Sequence, residues 1–213
     1  MSTPVRRTRI KFCGMTRPAD AVAAASLGVD AIGMIFAPRS PRRLDIEQAV
    51  AIAEAMPAFV SKVALFADPD PAQVQAVIES VRPELLQFHG SEPAEFCGRF
   101  GRPYLKAVPM GDAVDLDAFV ARYPAAAGFV LDAHATGGAG GSGRTFDWER
   151  IPAGMTRPLL LAGGLTPENV RDAVRRVHPY GVDVASGIES APGLKDYAKM
   201  RAFVSEVALA DVP

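Results

Sequence analysis

No run of 18 or more apolar residues occurs anywhere in the 213-residue chain, so no membrane-spanning helix is expected. The opening Met1-Ser2-Thr3-Pro4-Val5-Arg6-Arg7 has none of the apolar stretch a secretory leader needs, and residues 1–7 read as a flexible tail. A soluble, cytoplasmic protein without a membrane partner is the expectation. Cysteine is scarce: Cys13 and Cys97 are too few for the disulfide framework of a secreted domain, and both are expected as reduced thiols. The three histidines, His89, His134 and His178, show no paired ligand spacing, so no metal site is expected. Net charge is also missing. With 23 Lys plus Arg against 24 Asp plus Glu, nothing recruits nucleic acid or an anionic membrane by bulk charge, and the expected partner is a small molecule.

Short β-branched or apolar runs alternate with segments of helical period along the whole chain. Strands are predicted over 9–12, 31–36, 60–66, 85–88, 104–108, 128–131, 159–162 and 182–185. Helices are predicted between them, among them 18–27, 46–56, 71–80, 93–100 and 167–177, several opening on proline. Such alternation implies α/β architecture with parallel strands and crossover helices. Eight regularly spaced units favour a single (β/α)8 TIM barrel domain over the doubly wound open sheet, which uses the same alternation. A chain of this length buries about 70 percent of its unfolded surface as one unit. The run Gly137-Gly138-Ala139-Gly140-Gly141-Ser142-Gly143 has linker composition, yet it falls inside the sixth strand-to-helix connection. It is read as a mobile active-site loop, with Gly140 and Gly141 as candidate substrate contacts.

In a barrel of this kind, catalytic groups project from the carboxyl ends of the strands, so the residue after each apolar run carries the information. Cys13 follows the first strand, the basic stretch Arg39-Ser40-Pro41-Arg42-Arg43 the second, His89 the fourth, Asp132 the sixth, Gly163-Gly164 the seventh and Ser186-Gly187 the eighth. Glycine pairs at adjacent strand exits, one pair before a helix start at Thr166-Pro167-Glu168-Asn169, suit a phosphate held by backbone N–H groups. Cys13 is a candidate base, because modest stabilisation of its thiolate brings a pKa near 8.5 into working range. Cys97 lies in a helical segment and reads as packing. Asp132, beside the glycine-rich connection, is a candidate acid if burial raises its pKa. Arg42 is the candidate carboxylate anchor, since a guanidinium grips a carboxylate with two parallel bonds.

Taken in register, Lys11-Phe12-Cys13-Gly14-Met15-Thr16, Gln87-Phe88-His89-Gly90, Leu131-Asp132, Gly140-Gly141-Ser142-Gly143 with Thr145-Phe146-Asp147-Trp148, Gly163-Gly164-Leu165 and Asp183-Val184-Ala185-Ser186-Gly187-Ile188-Glu189 closely resemble the phosphoribosylanthranilate isomerase family of tryptophan biosynthesis. Phe12 and Phe88 depart from the family's usual isoleucine and leucine, both at apolar strand positions. The resemblance implies an Amadori rearrangement of N-(5-phosphoribosyl)anthranilate without a cofactor, with Cys13 as base and Asp132 as acid. It assigns Arg42 to the anthranilate carboxylate and Gly163, Gly164, Ser186 and Gly187 to the phosphate. Gln87, His89 and Asp183 become lining residues, His89 fitting a structural hydrogen bond equally well. Monomer and homodimer both remain open. The rivals are another phosphosugar barrel, such as indole-glycerol-phosphate synthase or a pentose-phosphate epimerase, and a catalytically silent phosphate-ligand binding protein. The first two call for a lysine–glutamate pair or a metal, and the third needs neither Cys13 nor Asp132.

Overall fold

Apolar residues at alternate strand positions have two faces to fill, and closing the sheet into a ring fills both. The computed structural model describes residues 7–110, 114–133, 146–152 and 155–212. Within them, β1 (Arg9–Phe12), β2 (Ala31–Ile35), β3 (Ser61–Phe66), β4 (Leu85–Phe88), β5 (Tyr104–Pro109), β6 (Gly128–Asp132), β7 (Leu159–Leu161) and β8 (Gly181–Val184) pair in parallel and in chain order, and β8 closes on β1. The architecture is therefore the (β/α)8 barrel and not the open sheet. The expected strands agree with these eight to within a residue at either end. Of the expected tail, residues 1–6 and any order in them lie outside the described residues, while Arg7 donates to Asp30 at 2.9 Å. The glycine-rich run 137–143, with Gly140 and Gly141, also lies outside them.

Helices α1 (Pro18–Ser26), α2 (Ile46–Glu54), α3 (Pro71–Val81), α4 (Ala94–Gly98), α5 (Leu116–Ala121), α6 (Val170–Val177) and α7 (Tyr197–Ala210) surround the ring. Their starts are written locally. Pro18 and Pro71 occupy first-turn positions of α1 and α3, where the missing N–H costs nothing, and Asp45 with Gln48 closes a capping box on α2. Helices α2, α4 and α6 depart from expectation by two residues or more, α2 by ending at Glu54. Helix α4 is shorter at both ends, stopping at Gly98 with Gly101 in the left-handed region at φ +62°. Helix α6 begins three residues late because Asn169 folds back, accepting from Thr166 N–H and donating to the Gly164 carbonyl, both at 2.9 Å. Beyond the helices named from pattern, α5, α7 and an antiparallel hairpin, β9 (Glu189–Ala191) and β10 (Leu194–Lys195), complete the described fold.

The main core lies between the ring and the helices. Phe36, Phe66 and Phe88 stack along three neighbouring strands with centroids 5.4 and 6.1 Å apart, and Phe88 also meets Phe96, Phe100 and Tyr104. Phe12 meets Phe203 of α7 edge-on at 5.9 Å. Both positions that depart from the family's usual residue thus anchor aromatic packing. One polar group interrupts this layer. Lys106 of β5 is sealed and donates to Glu92 at 2.8 Å and to the Gly90 carbonyl at 2.6 Å, while Glu92 accepts the Asp68 N–H at 2.8 Å and the Gly90 N–H at 3.0 Å. The pair shapes the connection after β4, where His89 sits. Lys106→Met strands the Glu92 carboxylate in the core and is expected to cost about 3–5 kcal/mol. Urea unfolding monitored by circular dichroism checks this, and a loss below about 1 kcal/mol counts against it.

Candidate active site

All eight strands end on one face, and the side chains leaving that face surround a cavity of 330 Å³. Cys13, Arg42, Gln87, His89, Asp132, Gly163, Gly164, Asp183 and Ser186 line it together. Gly187 does not. It sits where the loops after β7 and β8 touch, and a Cβ there would run into the Leu165 carbonyl oxygen. Gly163 and Gly164 both adopt positive φ, +82° and +67°, and a Cβ on Gly163 would lie 2.7 Å from the Ala133 nitrogen. The glycine pairs therefore allow close backbone approach at the mouth, which is the geometry a bound phosphate also requires.

On the β1 side, the Cys13 N–H extends the ladder to the Val184 carbonyl at 2.8 Å, which carries the thiol to the cavity wall beside Ile35 and Leu65. Gly14 turns the chain at φ +72°, and a Cβ there would collide with the Arg42 side chain. Burial pushes the Cys13 thiol up from its ordinary pKa, and Lys11 partly offsets this. The sequence suggests a stabilised thiolate; the structure instead favours the thiol form, because desolvation outweighs the neighbouring cation. Cys97, by contrast, lies in the core away from the cavity, its thiol pushed up to about 12 by burial.

Across the cavity, Asp132 ends β6 and its Oδ2 lies 2.8 Å from His89 Nε2. Gln87 Nε2 approaches His89 Nδ1 at 3.3 Å. These contacts make His89 a hydrogen-bond partner of the candidate acid as well as a cavity residue.

Arg42 is held by Glu189 through Nε at 2.7 Å and Nη2 at 2.6 Å. Lys195 of β10 joins the same carboxylate at 2.9 Å and also donates to the carbonyls of Cys13 and Ala185 at 2.7 and 3.0 Å. Two cations against one carboxylate leave these three groups net positive when all are charged, at the edge of a cavity whose wall also carries Asp68, Asp132 and Asp183. Burial alone would raise the Glu189 pKa, but Arg42 and Lys195 overcome it and hold the carboxyl below its ordinary value. Burial lowers Lys195, with Glu189 opposing.

Four residues of this constellation were not singled out from sequence. Lys11, whose Nζ lies 2.9 and 3.0 Å from the Asp183 oxygens, was legible as a lysine inside an apolar strand, two positions before Cys13 and so on the same face. Asp68 lines the cavity and follows β3, so the strand-exit rule reaches it. Glu189 and Lys195 meet the site through the hairpin, which no local pattern foretells. Among the described residues, no group of three His, Cys, Asp or Glu side chains is arranged to hold a metal ion.

Comparison with known proteins places this site in context. The family model described as N-(5'phosphoribosyl)anthranilate (PRA) isomerase matches residues 10–206. The N-(5'-phosphoribosyl)anthranilate isomerase of Stenotrophomonas maltophilia (strain R551-3) is 54% identical over 213 residues, covering 99% of this chain and 98% of that protein. The crystal structure of phosphoribosyl anthranilate isomerase from Thermus thermophilus superposes with TM-score 0.84 at 39% identity, over 95% of this chain and 99% of the other. A second crystal structure, of such an isomerase in complex with reduced 1-(o-carboxyphenylamino)-1-deoxyribulose 5-phosphate, matches with TM-score 0.78 at 34% identity, over 94% and 98% of the two chains.

A depressed carboxyl contributes stability that is present above its unfolded pKa, about 4.3 for glutamate, and lost as pH falls through the folded value. Glu189→Gln is therefore expected to be clearly less stable than the parent near neutrality, the gap closing on acidification below about pH 4. Denaturant titrations across pH check this, and a gap that stays constant would show that Glu189 does not carry the linkage.

Proposed function

The chain belongs to the N-(5'-phosphoribosyl)anthranilate isomerase family, and we propose that Cys13 and Asp132 are the base and acid of its Amadori rearrangement. The reaction converts N-(5-phosphoribosyl)anthranilate into 1-(2-carboxyphenylamino)-1-deoxyribulose 5-phosphate in tryptophan biosynthesis. One observation carries the assignment: a thiol from β1 and a carboxyl from β6, far apart in sequence, wall the same cavity, the carboxyl 2.8 Å from an imidazole.

In this reading Asp132 protonates the furanose ring oxygen, the C1–O bond breaks, and the anilino nitrogen supplies the electron pair that forms the iminium. The Cys13 thiolate then removes the proton from C2, the C2–H electrons neutralise the iminium, and the enolamine tautomerises to the ketone. The substrate's own nitrogen is the electron sink, so the scheme needs no cofactor. Each proton transfer contributes about 10²- to 10⁴-fold, and fixed geometry adds to it.

Binding follows from the cavity walls. Arg42, oriented by Glu189 within the net positive cluster, anchors the anthranilate carboxylate. The loops carrying Gly163, Gly164, Ser186 and Gly187 hold the phosphate at the other side. Gln87, His89 and Asp183 contact the ribose region, His89 also positioning Asp132, and Gly140 and Gly141 contribute from the connection after β6. The whole chain acts as one catalytic barrel in the cytoplasm, as a monomer or homodimer. Its partner is the phosphorylated small molecule, not nucleic acid or membrane.

Cys13→Ala is expected to lower kcat at least about 10²-fold with affinity for the phosphorylated product retained, and Asp132→Asn to fail in the same manner at ring opening. Steady-state kinetics with N-(5-phosphoribosyl)anthranilate, paired with product titration, checks both. Near-parental kcat in either variant removes that residue from its role. Arg42→Ala is expected to raise KM more than it lowers kcat, because the carboxylate anchor is used alike in ground and transition states. An unchanged KM moves the anchor elsewhere.

A further inference from the structure

Lys11 has no part in the scheme above, yet it is buried deep inside the ring at 2% exposure. A lysine in that position is costly unless something requires it. It stands two residues before Cys13 on β1, so both side chains enter the barrel interior. The β1–β8 register sets it opposite Asp183, whose two oxygens take two of the three ammonium N–H groups at 2.9 and 3.0 Å. Sulfur and ammonium also share a border: Lys11 Nζ and Cys13 Sγ both flank the space that Gly33 of β2 leaves open. A Cβ on Gly33 would lie 2.7 Å from Cys13 Sγ and 3.2 Å from Lys11 Nζ, so thiol and ammonium crowd the same space that the glycine leaves open.

We propose that Lys11 and Asp183 form a positioning pair that sets the proton affinity of Cys13: the ammonium favours the thiolate, and the carboxylate both aims that ammonium and tempers its pull. The pair deepens the reading of Cys13 as base and rests on it only for its catalytic meaning. Asp183 acts here through Lys11. Other charges also face the thiol. Lys195 of β10 sits on the Cys13 carbonyl at 2.7 Å, and Arg42 from the connection after β2 is bound to Glu189; neither is altered in the variants below.

The test reads the thiol directly. Alkylation of the native protein by iodoacetamide, followed across pH on the Cys13 peptide by mass spectrometry, gives a midpoint for thiolate formation whether or not Cys13 is the base. Lys11→Met is expected to raise that midpoint by about one unit or more, and Asp183→Asn to lower it. Opposite signs from the two halves of one salt bridge are what a purely structural pair would not produce. Unmoved midpoints, or shifts in the same direction, overturn the proposal. If a single variant loses its fold by circular dichroism, Lys11→Met/Asp183→Asn removes both buried charges together. Its midpoint is then expected above the parent's, because the cation that shares the Gly33 space with the sulfur has the larger influence, and a midpoint at or below the parent's overturns the proposal. In active variants the acid limb of the kcat/KM–pH profile should move with the thiol midpoint. A midpoint that moves while the limb stays put upholds the pair and removes Cys13 as the base.

Discussion

Glu189 is the carboxylate around which the mouth of the barrel is assembled. Its side chain holds Arg42 from the connection after β2 and Lys195 from the hairpin, and Lys195 in turn holds the carbonyls at the exits of β1 and β8. Its own carbonyl accepts from Lys199 of α7 at 2.7 Å. Three charges taken out of water are stabilising only when each finds a partner, and each does. Two glycines make this packing possible. A side chain at Gly14 would displace Arg42, and one at Gly193 would press on Thr16, whose hydroxyl donates to the Gly193 carbonyl. Geometry at the thiol thus depends on a carboxylate 176 residues away in sequence, the difference between 189 and 13.

Closure of the ring supplies the second constraint. Parallel strands leave a barrel on one face, and strict alternation sends odd and even residues to opposite sides. On β1, Lys11 and Cys13 go inward while Ile10 and Phe12 join the outer core. On β4, Gln87 lines the cavity while Leu86 and Phe88 join that core. A one-residue slip would exchange the two sets and bury the chemistry among phenylalanines. The aromatic ladder Phe36–Phe66–Phe88 resists such a slip on three adjacent strands at once. Register and catalysis are therefore fixed by the same contacts.

That logic explains what was legible from sequence. The count of eight apolar runs led to the barrel, and the strand-exit rule reached seven of the nine named cavity residues; Gln87 and Asp183, inside β4 and β8, came only from the family resemblance. Failures have a different origin. Cys13 lies beside Lys11 through the local strand period, but Arg42 meets Glu189 only through a three-dimensional arrangement that no local period encodes. The hairpin escaped notice because Glu189–Ala191 and Leu194–Lys195 are too short for an alternating pattern to register. Helix α6 began later than expected because Asn169 spends its side chain on the Gly164 loop instead of allowing the helix to extend. Gly187 does not line the cavity, and the Leu165 carbonyl alone explains its lost side chain, so there the glycine signal has a packing cause beside the phosphate role proposed for its loop.

The buried thiol also fits the order of events in the proposed reaction. An ionised carboxylate in the Cys13 position would bear a desolvation cost at rest, whereas a thiol rests neutral in the dry wall formed with Ile35 and Leu65. Its charge becomes favourable when a cation appears beside it, and ring opening places an iminium on the substrate at the step before C2–H is broken. Charge on sulfur and charge on nitrogen then stabilise each other in a medium that screens them weakly. With Lys11 already beside the sulfur, the remaining cost of the thiolate falls to the bound intermediate and not to the folded protein. A base tuned in this way is strongest when its substrate is ready for it, which is the differential stabilisation that catalysis requires.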